Sequence, residues 1–178
     1  MSLNGTCSSQ HSGKIDDFTL KNHDGTEYTL SKEKDSKAVV IMFWSVRCPY
    51  VQAYNDRIPS FVKEYQEKGI TFWAINSNVT EDTEEIKANA AEHSYNFPVL
   101  IDVNSKVADK FGATRTPEIF VLDKDRNILY HGRIDDNRQK EKVTVYDLKN
   151  ALDEILAGNE VTVKETKSFG CTIKRAGD

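Results

Sequence analysis

The sequence predicts an α/β domain, a central mixed β-sheet with helices on both faces. Three observations carry that prediction. Two continuous apolar runs, residues 38–44 and 70–75, have the length and the Val, Ile and Phe content of strands buried on both sides. Each is followed by a segment with apolar residues at helical spacing, and alternating β and α segments imply parallel strands with crossover helices. A hairpin near the end, at 118–122 and 128–132, adds antiparallel strands and makes the sheet mixed.

The chain opens with a polar stretch rich in Ser, Gly and Asn. Residues 1–13 read as a disordered leader or as engineered residues, and 14–178 as one domain. Residues 14–31 form a first hairpin: Phe18 to Leu20 and Tyr28 to Leu30 flank His23-Asp24-Gly25, and Asp-Gly is a strong turn signal. After the strand at 38–44, a helix spans about 49–68, with Tyr54, Ile58, Phe61, Val62 and Tyr65 on one face and Gly69 just past its end. The strand at 70–75 runs into the polar loop Asn76-Ser77-Asn78. A helix from near Thr80 to about His93 carries Glu81, Asp82, Glu84 and Glu85 in its first turn, as the helix dipole favours.

An extended segment follows at 97–102, then a short helix at 105–111 closed by Gly112. The second hairpin turns at Asp123-Lys124-Asp125-Arg126-Asn127. That run lacks the glycine and terminal glutamate of a calcium loop and reads as a plain turn. The last helix presents Leu148, Ala151, Leu152, Ile155 and Leu156 and stops at Gly158. A polar tail, 159–178, ends the chain.

Composition narrows the function. The chain has 178 residues and a net charge of −4, and no Lys/Arg cluster is long enough to track a phosphate backbone, so a nucleic-acid partner is not expected. No apolar window is long enough for a membrane span. Three cysteines, at 7, 48 and 171, are too few for a disulfide scaffold and too far apart for a short metal-ligand pair; four scattered histidines add none. No metal and no bound cofactor is expected. Asn4-Gly5-Thr6 and Asn78-Val79-Thr80 match the glycan acceptor pattern, a common coincidence. As written, the chain has no export signal and reads as cytoplasmic; a processed or engineered start would instead fit a periplasmic or exported protein. Oligomeric state is not readable.

Cys48 is the most informative residue. It stands where the strand at 38–44 runs out and a helix begins, with Pro49 suited to the first helical position. At an N-cap, free N–H groups and the helix dipole favour the thiolate, the reactive form of the side chain. The placement predicts an exposed, readily ionised sulfur. Arg47 beside it is a candidate to stabilise the thiolate or else a solvated surface charge. Cys48 as a small packed apolar residue is the plain alternative.

Phe43-Trp44-Ser45-Val46-Arg47-Cys48-Pro49 resembles the active-site stretch of thioredoxin-like and peroxiredoxin-like proteins, and Arg115-Thr116-Pro117-Glu118 resembles their cis-proline loop. The segments at 48–57, 74–78, 116–118, 132–136 and 169–174 together are similar to the peroxiredoxin-like subgroup of the alkyl hydroperoxide reductase/thiol-specific antioxidant family. The resemblance covers about residues 15–175. It implies a thioredoxin fold with Cys48 as the nucleophile of a thiol-disulfide oxidoreductase or antioxidant redoxin. It also implies a cis Thr116–Pro117 bond, backbone groups on Thr116 offered to an extended substrate, and a disulfide-bearing protein or a small thiol or peroxide as partner. Where thioredoxin has its second cysteine, this chain has Val51, and the buried acid of thioredoxin is replaced by Met42. The peroxidatic motif is also incomplete, with Ser45 for its threonine and Ile41 for its proline.

The remaining site candidates follow from these. Cys171 has two readings. It resolves Cys48 if the tail folds back over the helix to a Cα separation near about 5.5 Å; otherwise it is a buried structural thiol. Phe169 and Ile173 flank it and suit anchoring of the tail by apolar burial. Glu118 is either a general base facing the site or a solvent-facing strand residue. Phe43, Trp44 and Trp73 read as core, and Tyr50, just inside the helix, as the exposed aromatic at a substrate groove. Cys7 reads as incidental. A thiol peroxidase and a redox-inactive peptide-binding module on the same fold are the rival functions.

Overall fold

The structure, a computed structural model, describes residues 13–178. Residues 1–12 of the expected leader, with Cys7 and the first glycan pattern, lie outside them. The strands are β1 (Thr19–Asn22), β2 (Glu27–Thr29), β3 (Ala38–Phe43), β4 (Ile70–Asn76), β5 (Val99–Ile101), β6 (Arg115–Thr116), β7 (Glu118–Leu122), β8 (Ile128–Gly132) and β9 (Cys171–Thr172). The helices are α1 (Pro49–Gln52), α2 (Ile58–Gln66), α3 (Thr83–Glu92), α4 (Lys106–Phe111) and α5 (Asp147–Leu156). Seven strands form one mixed sheet in the order β2-β1-β5-β4-β3-β7-β8, and β6 and β9 form a small separate sheet. β3, β4 and β5 run parallel, β7 runs antiparallel to β3, and β8 antiparallel to β7. This is the thioredoxin fold, with an N-terminal hairpin added at the β5 edge.

The apolar run of β3 works by alternation. Val40, Met42 and Trp44 point into a core shared with α1, α2, α3 and α5. Val39, Ile41 and Phe43 point into a second core with α4 and the N-terminal hairpin. Both faces are therefore covered, which is why the strand carries no polar residue. Trp44, Phe43 and Trp73 are all core residues, as expected.

One predicted element is corrected. The helix expected at 49–68 is two helices with turns at 53–57 between them. Pro59 explains the break. It has no N–H to give to the carbonyl four residues earlier, and its ring disfavours continuous helix before it. The chain restarts instead, with Ile58 N–H donating to Tyr54 O at 2.9 Å and Pro59 in the first turn of α2. The third helix begins at Thr83 rather than Thr80, because Asp82 is its N-cap and accepts from Glu85 N–H at 2.8 Å.

The polar tail is not loose. His131 N–H donates to Lys164 O, and Thr166 N–H to His131 O, laying the tail along β8. Farther on, Ile173 is 0 % exposed and belongs to the second core. Its N–H donates to Thr114 O at 3.0 Å, Lys174 N–H to Asn78 Oδ1 at 2.9 Å, and Arg175 reaches Asp109 and Ala113 O. Ile173 anchors the tail as expected, and Val161 is buried as well, but backbone bonds set where it docks. Ile173→Ala is therefore expected to lower stability by about 2–5 kcal/mol, the usual range for a fully buried isoleucine; a urea melt with an unchanged slope checks it.

Candidate active site

Cys48 is the N-cap residue of α1, with Pro49 at the first helical position. The loop that carries it from β3 is fixed by one carboxylate. Glu81 accepts from Val46 N–H at 3.0 Å, from Arg47 N–H at 3.3 Å, from Asn76 Nδ2 at 2.5 Å and from the Ser45 hydroxyl. Two strand ends and the approach to Cys48 are thus tied to a single side chain, whose charge is met by four donors. Sequence reading had placed Glu81 only as a helix-dipole residue; a Glu just past the second central strand was the available signal.

Across from Cys48 lies the loop holding Thr116 and Pro117, joined by a cis peptide bond. Cys48 Sγ sits 3.2 Å from Thr116 O, and Thr116 is 1 % exposed. Glu118 anchors this loop from beneath. Its Oε2 accepts from Thr114 and Arg115 N–H at 2.8 and 2.9 Å, and its Oε1 lies 2.7 Å from His131 Nε2. Burial pushes its pKa up, but the His131 contact and the two backbone donors outweigh that and hold the carboxyl below its ordinary value. Glu118 is 4 % exposed and fully engaged, so it is neither the solvent-facing residue nor the free base that the sequence suggested.

β9 lies along the outer edge of this loop. Cys171 pairs in register with Thr116, and Thr172 with Arg115. Gly170 makes the approach possible: its φ is +154°, and a Cβ there would sit 1.9 Å from Thr116 O. The strand brings Cys171 to a Cα separation of 5.9 Å from Cys48, and the two are joined in a disulfide. The tail-folded-back alternative for Cys171 is the one observed.

The expectation of an exposed Cys48 needs correction. The residue is 2 % exposed, because the core lies behind it, the cis-proline loop beside it and β9 above it. Arg47 does not face the sulfur: its guanidinium makes a two-pronged pair with Glu85 at 2.7 Å for each contact, which raises its own pKa. Tyr50 is half-buried rather than open. Its ring meets Phe169 edge-on at 5.9 Å, and the Arg138 guanidinium lies 4.5 Å above it. A shallow cleft remains beside the disulfide, lined by both cysteines, by polar Ser45, Asn78, Thr80 and Thr172, and by the charged Arg47, Glu81 and Lys174. Asn78 is 7 % exposed and bonded to the tail, so it is no glycan acceptor in the folded chain. Among the described residues no His, Cys, Asp and Glu side chains group as metal ligands.

The model of the AhpC/TSA family matches residues 12–131 of this chain. The chain belongs to the AhpC/TSA family. Two solved structures resemble it closely. A hypothetical protein from Sinorhizobium meliloti 1021 is 35% identical, with a TM-score of 0.88 over 96% of this chain and 97% of the other. An uncharacterized conserved protein from Geobacillus kaustophilus is 33% identical, with a TM-score of 0.86 over 94% and 93%. Among curated relatives, the thiol-disulfide oxidoreductase ResA of Halalkalibacterium halodurans is 26% identical over 112 residues, 63% of this chain and 62% of that protein. The chain thus spans less than two thirds of the length of that relative.

In this AhpC/TSA chain, the matched residues end at His131. The tail that supplies Cys171 lies beyond them, so half of the disulfide comes from outside the family's matched segment. The loop that meets the tail depends on Glu118. Its folded pKa is depressed, so its contribution to stability is present at neutral pH, above its unfolded value near 4.3, and fades as pH falls through the folded value. Glu118→Gln is expected to cost about 1–3 kcal/mol at pH 7. Urea melts of both proteins between pH 7 and pH 3 should show the gap shrinking toward the acid end.

Proposed function

We propose that this protein is a thiol-disulfide oxidoreductase whose working pair is Cys48 and Cys171. The observation that carries the reading is the pairing itself: an N-cap cysteine after a central strand, bonded to a cysteine on a strand that pairs with the residue before the cis-proline. The name of the ResA relative supports the same class of reaction.

In the reduced protein, the Cys48 thiolate attacks one sulfur of a substrate disulfide. The substrate S–S bond breaks, its leaving thiolate takes up a proton, and a mixed disulfide forms on Cys48. Cys171, held opposite by β9, then attacks Cys48 Sγ as a thiolate. The second substrate sulfur leaves, and the Cys48–Cys171 bond closes. The substrate gains two electrons and the protein loses two. β9 already pairs with Thr116 and Arg115, so the backbone edge that the sequence assigned to the substrate is taken up by the tail. Glu81 and Glu118 hold the two loops still, and the substrate meets the site at the cleft beside the two cysteines. The substrate class is a disulfide-bearing protein or a small disulfide. A hydroperoxide reading is weaker here, because Ser45, at the position of the peroxidatic threonine, is bonded to Glu81.

Thiol titration is expected to rise by two per chain on reduction. Cys48→Ser should bring catalysed reduction of insulin disulfides by dithiothreitol down to the uncatalysed rate. Turnover that survives in Cys48→Ser would remove the proposal. The disulfide closes a span of 123 residues. In the chain-entropy picture such a closure stabilises the fold by about 5 kcal/mol, so urea melts of oxidised and reduced protein should differ by that order.

A further inference from the structure

Opening the Cys48–Cys171 bond leaves Cys171 on a short bridge of chain. The bridge runs from Thr166, whose N–H donates to His131 O, to Ile173, which is fully buried and whose N–H donates to Thr114 O. Between these anchors β9 pairs with β6 over two residues, and the Arg115 side chain donates to Gly170 O at 3.2 Å. Both contacts hold the bridge to the cis-proline loop, not to the helix that carries Cys48. Two rings make that second tie. Tyr50 stands two residues past Cys48 on α1, and Phe169 two residues before Cys171. Their rings meet edge-on with centroids 5.9 Å apart. The Tyr50 ring is itself fixed, packed against the core beneath α1 with the Arg138 guanidinium 4.5 Å above it.

We infer that the Tyr50–Phe169 contact is the clip that keeps Cys171 within reach of Cys48 while their bond is open, and that both are positioning residues for the step that closes the disulfide. The inference rests on the oxidoreductase reading with Cys48 and Cys171 as the working pair. Closure joins two groups on one chain, so its rate follows how well the fold holds them together. With the rings in contact, each sulfur is bracketed by an aromatic side chain two residues away, one on each element. Without the contact, the bridge keeps its two ends and its ladder but loses its hold on α1. An edge-on aromatic pair is worth a factor of about two to ten in such an equilibrium. Tyr50, which the sequence assigned to a substrate groove, serves the tail in this reading.

Reduced protein is mixed with the aromatic disulfide dithiobis(nitrobenzoate) in a stopped-flow instrument. Every chain carries Cys7→Ser, so that only the pair reports. One protein thiolate attacks the reagent, a thionitrobenzoate leaves, and a mixed disulfide forms. The other protein thiolate attacks the protein-side sulfur, a second thionitrobenzoate leaves, and the Cys48–Cys171 bond closes; the reagent gains the two electrons that the protein loses. Wild type is expected to release two thionitrobenzoates per chain, the second at a rate independent of reagent concentration, and Cys171→Ser to release one. Phe169→Ala and Tyr50→Ala should each slow the second release by about two- to tenfold, and the double variant no further. Tyr50→Phe, which keeps the ring, should close at the wild-type rate. In glutathione buffers, Phe169→Ala should shift the pair toward the dithiol by the same factor. A second release at the wild-type rate in Phe169→Ala, slowing that adds in the double variant, or a Tyr50→Phe chain as slow as Tyr50→Ala overturns the inference and leaves the working pair standing. A second release in wild type that scales with reagent concentration overturns both.

Discussion

The redox site closes around the Thr116 carbonyl, which is crowded from two sides. Cys48 Sγ lies 3.2 Å away on one side, and on the other Gly170 comes so near that any side chain would collide. Both contacts are needed for the strand carrying Cys171 to pass within disulfide range of Cys48. Because Pro117 has no N–H, the β6 edge offers its partner only a short ladder, and β9 pairs with it over two residues. The rest of the site is arranged around keeping that carbonyl in place.

Two carboxylates, Glu118 buried and Glu81 half-buried, do most of this work from opposite sides. Glu81 gathers the loop ahead of Cys48, and Glu118 gathers the loop ahead of Pro117. Each spends its charge on backbone N–H groups that secondary structure leaves without partners, which turns a desolvation cost into loop rigidity. Neither acts on the sulfur directly. The cation that sequence adjacency offered, Arg47, is instead drawn to Glu85 and ties the Cys48 loop to α3. Electrostatics at this site therefore set position, and covalent chemistry is left to the two sulfurs.

The sheet was largely legible in the sequence because β3, β4, β7 and β8 are short apolar runs bounded by turns, and burial on both faces leaves a strong compositional trace. Cys48 and the Thr116–Pro117 loop were legible as local patterns. The break at Pro59 was written in the sequence as well, but helical spacing on both sides of it masked the interruption. What could not be read was long-range. Phe169 and Ile173 hinted that the tail is anchored, but the place where it docks, along β8 and the Thr114–Thr116 segment, is set by backbone bonds that leave no trace in composition. The partners of Glu81, Glu118 and Arg47 are set by chain segments brought together from 3 to 38 residues away, which no local period encodes. Exposure of Cys48 was misjudged for the same reason: its cover arrives from 123 residues downstream.

That distance along the chain has a temporal meaning. A ribosome making this protein releases Cys48 123 residues ahead of Cys171, so Cys48 waits without its partner while that whole span is made. The edge beside Pro117 stays uncovered for the same interval. Any disulfide that captures Cys48 then must be exchanged out before the fold can close, which makes the emergence of Cys171 the moment at which the redox centre comes into being.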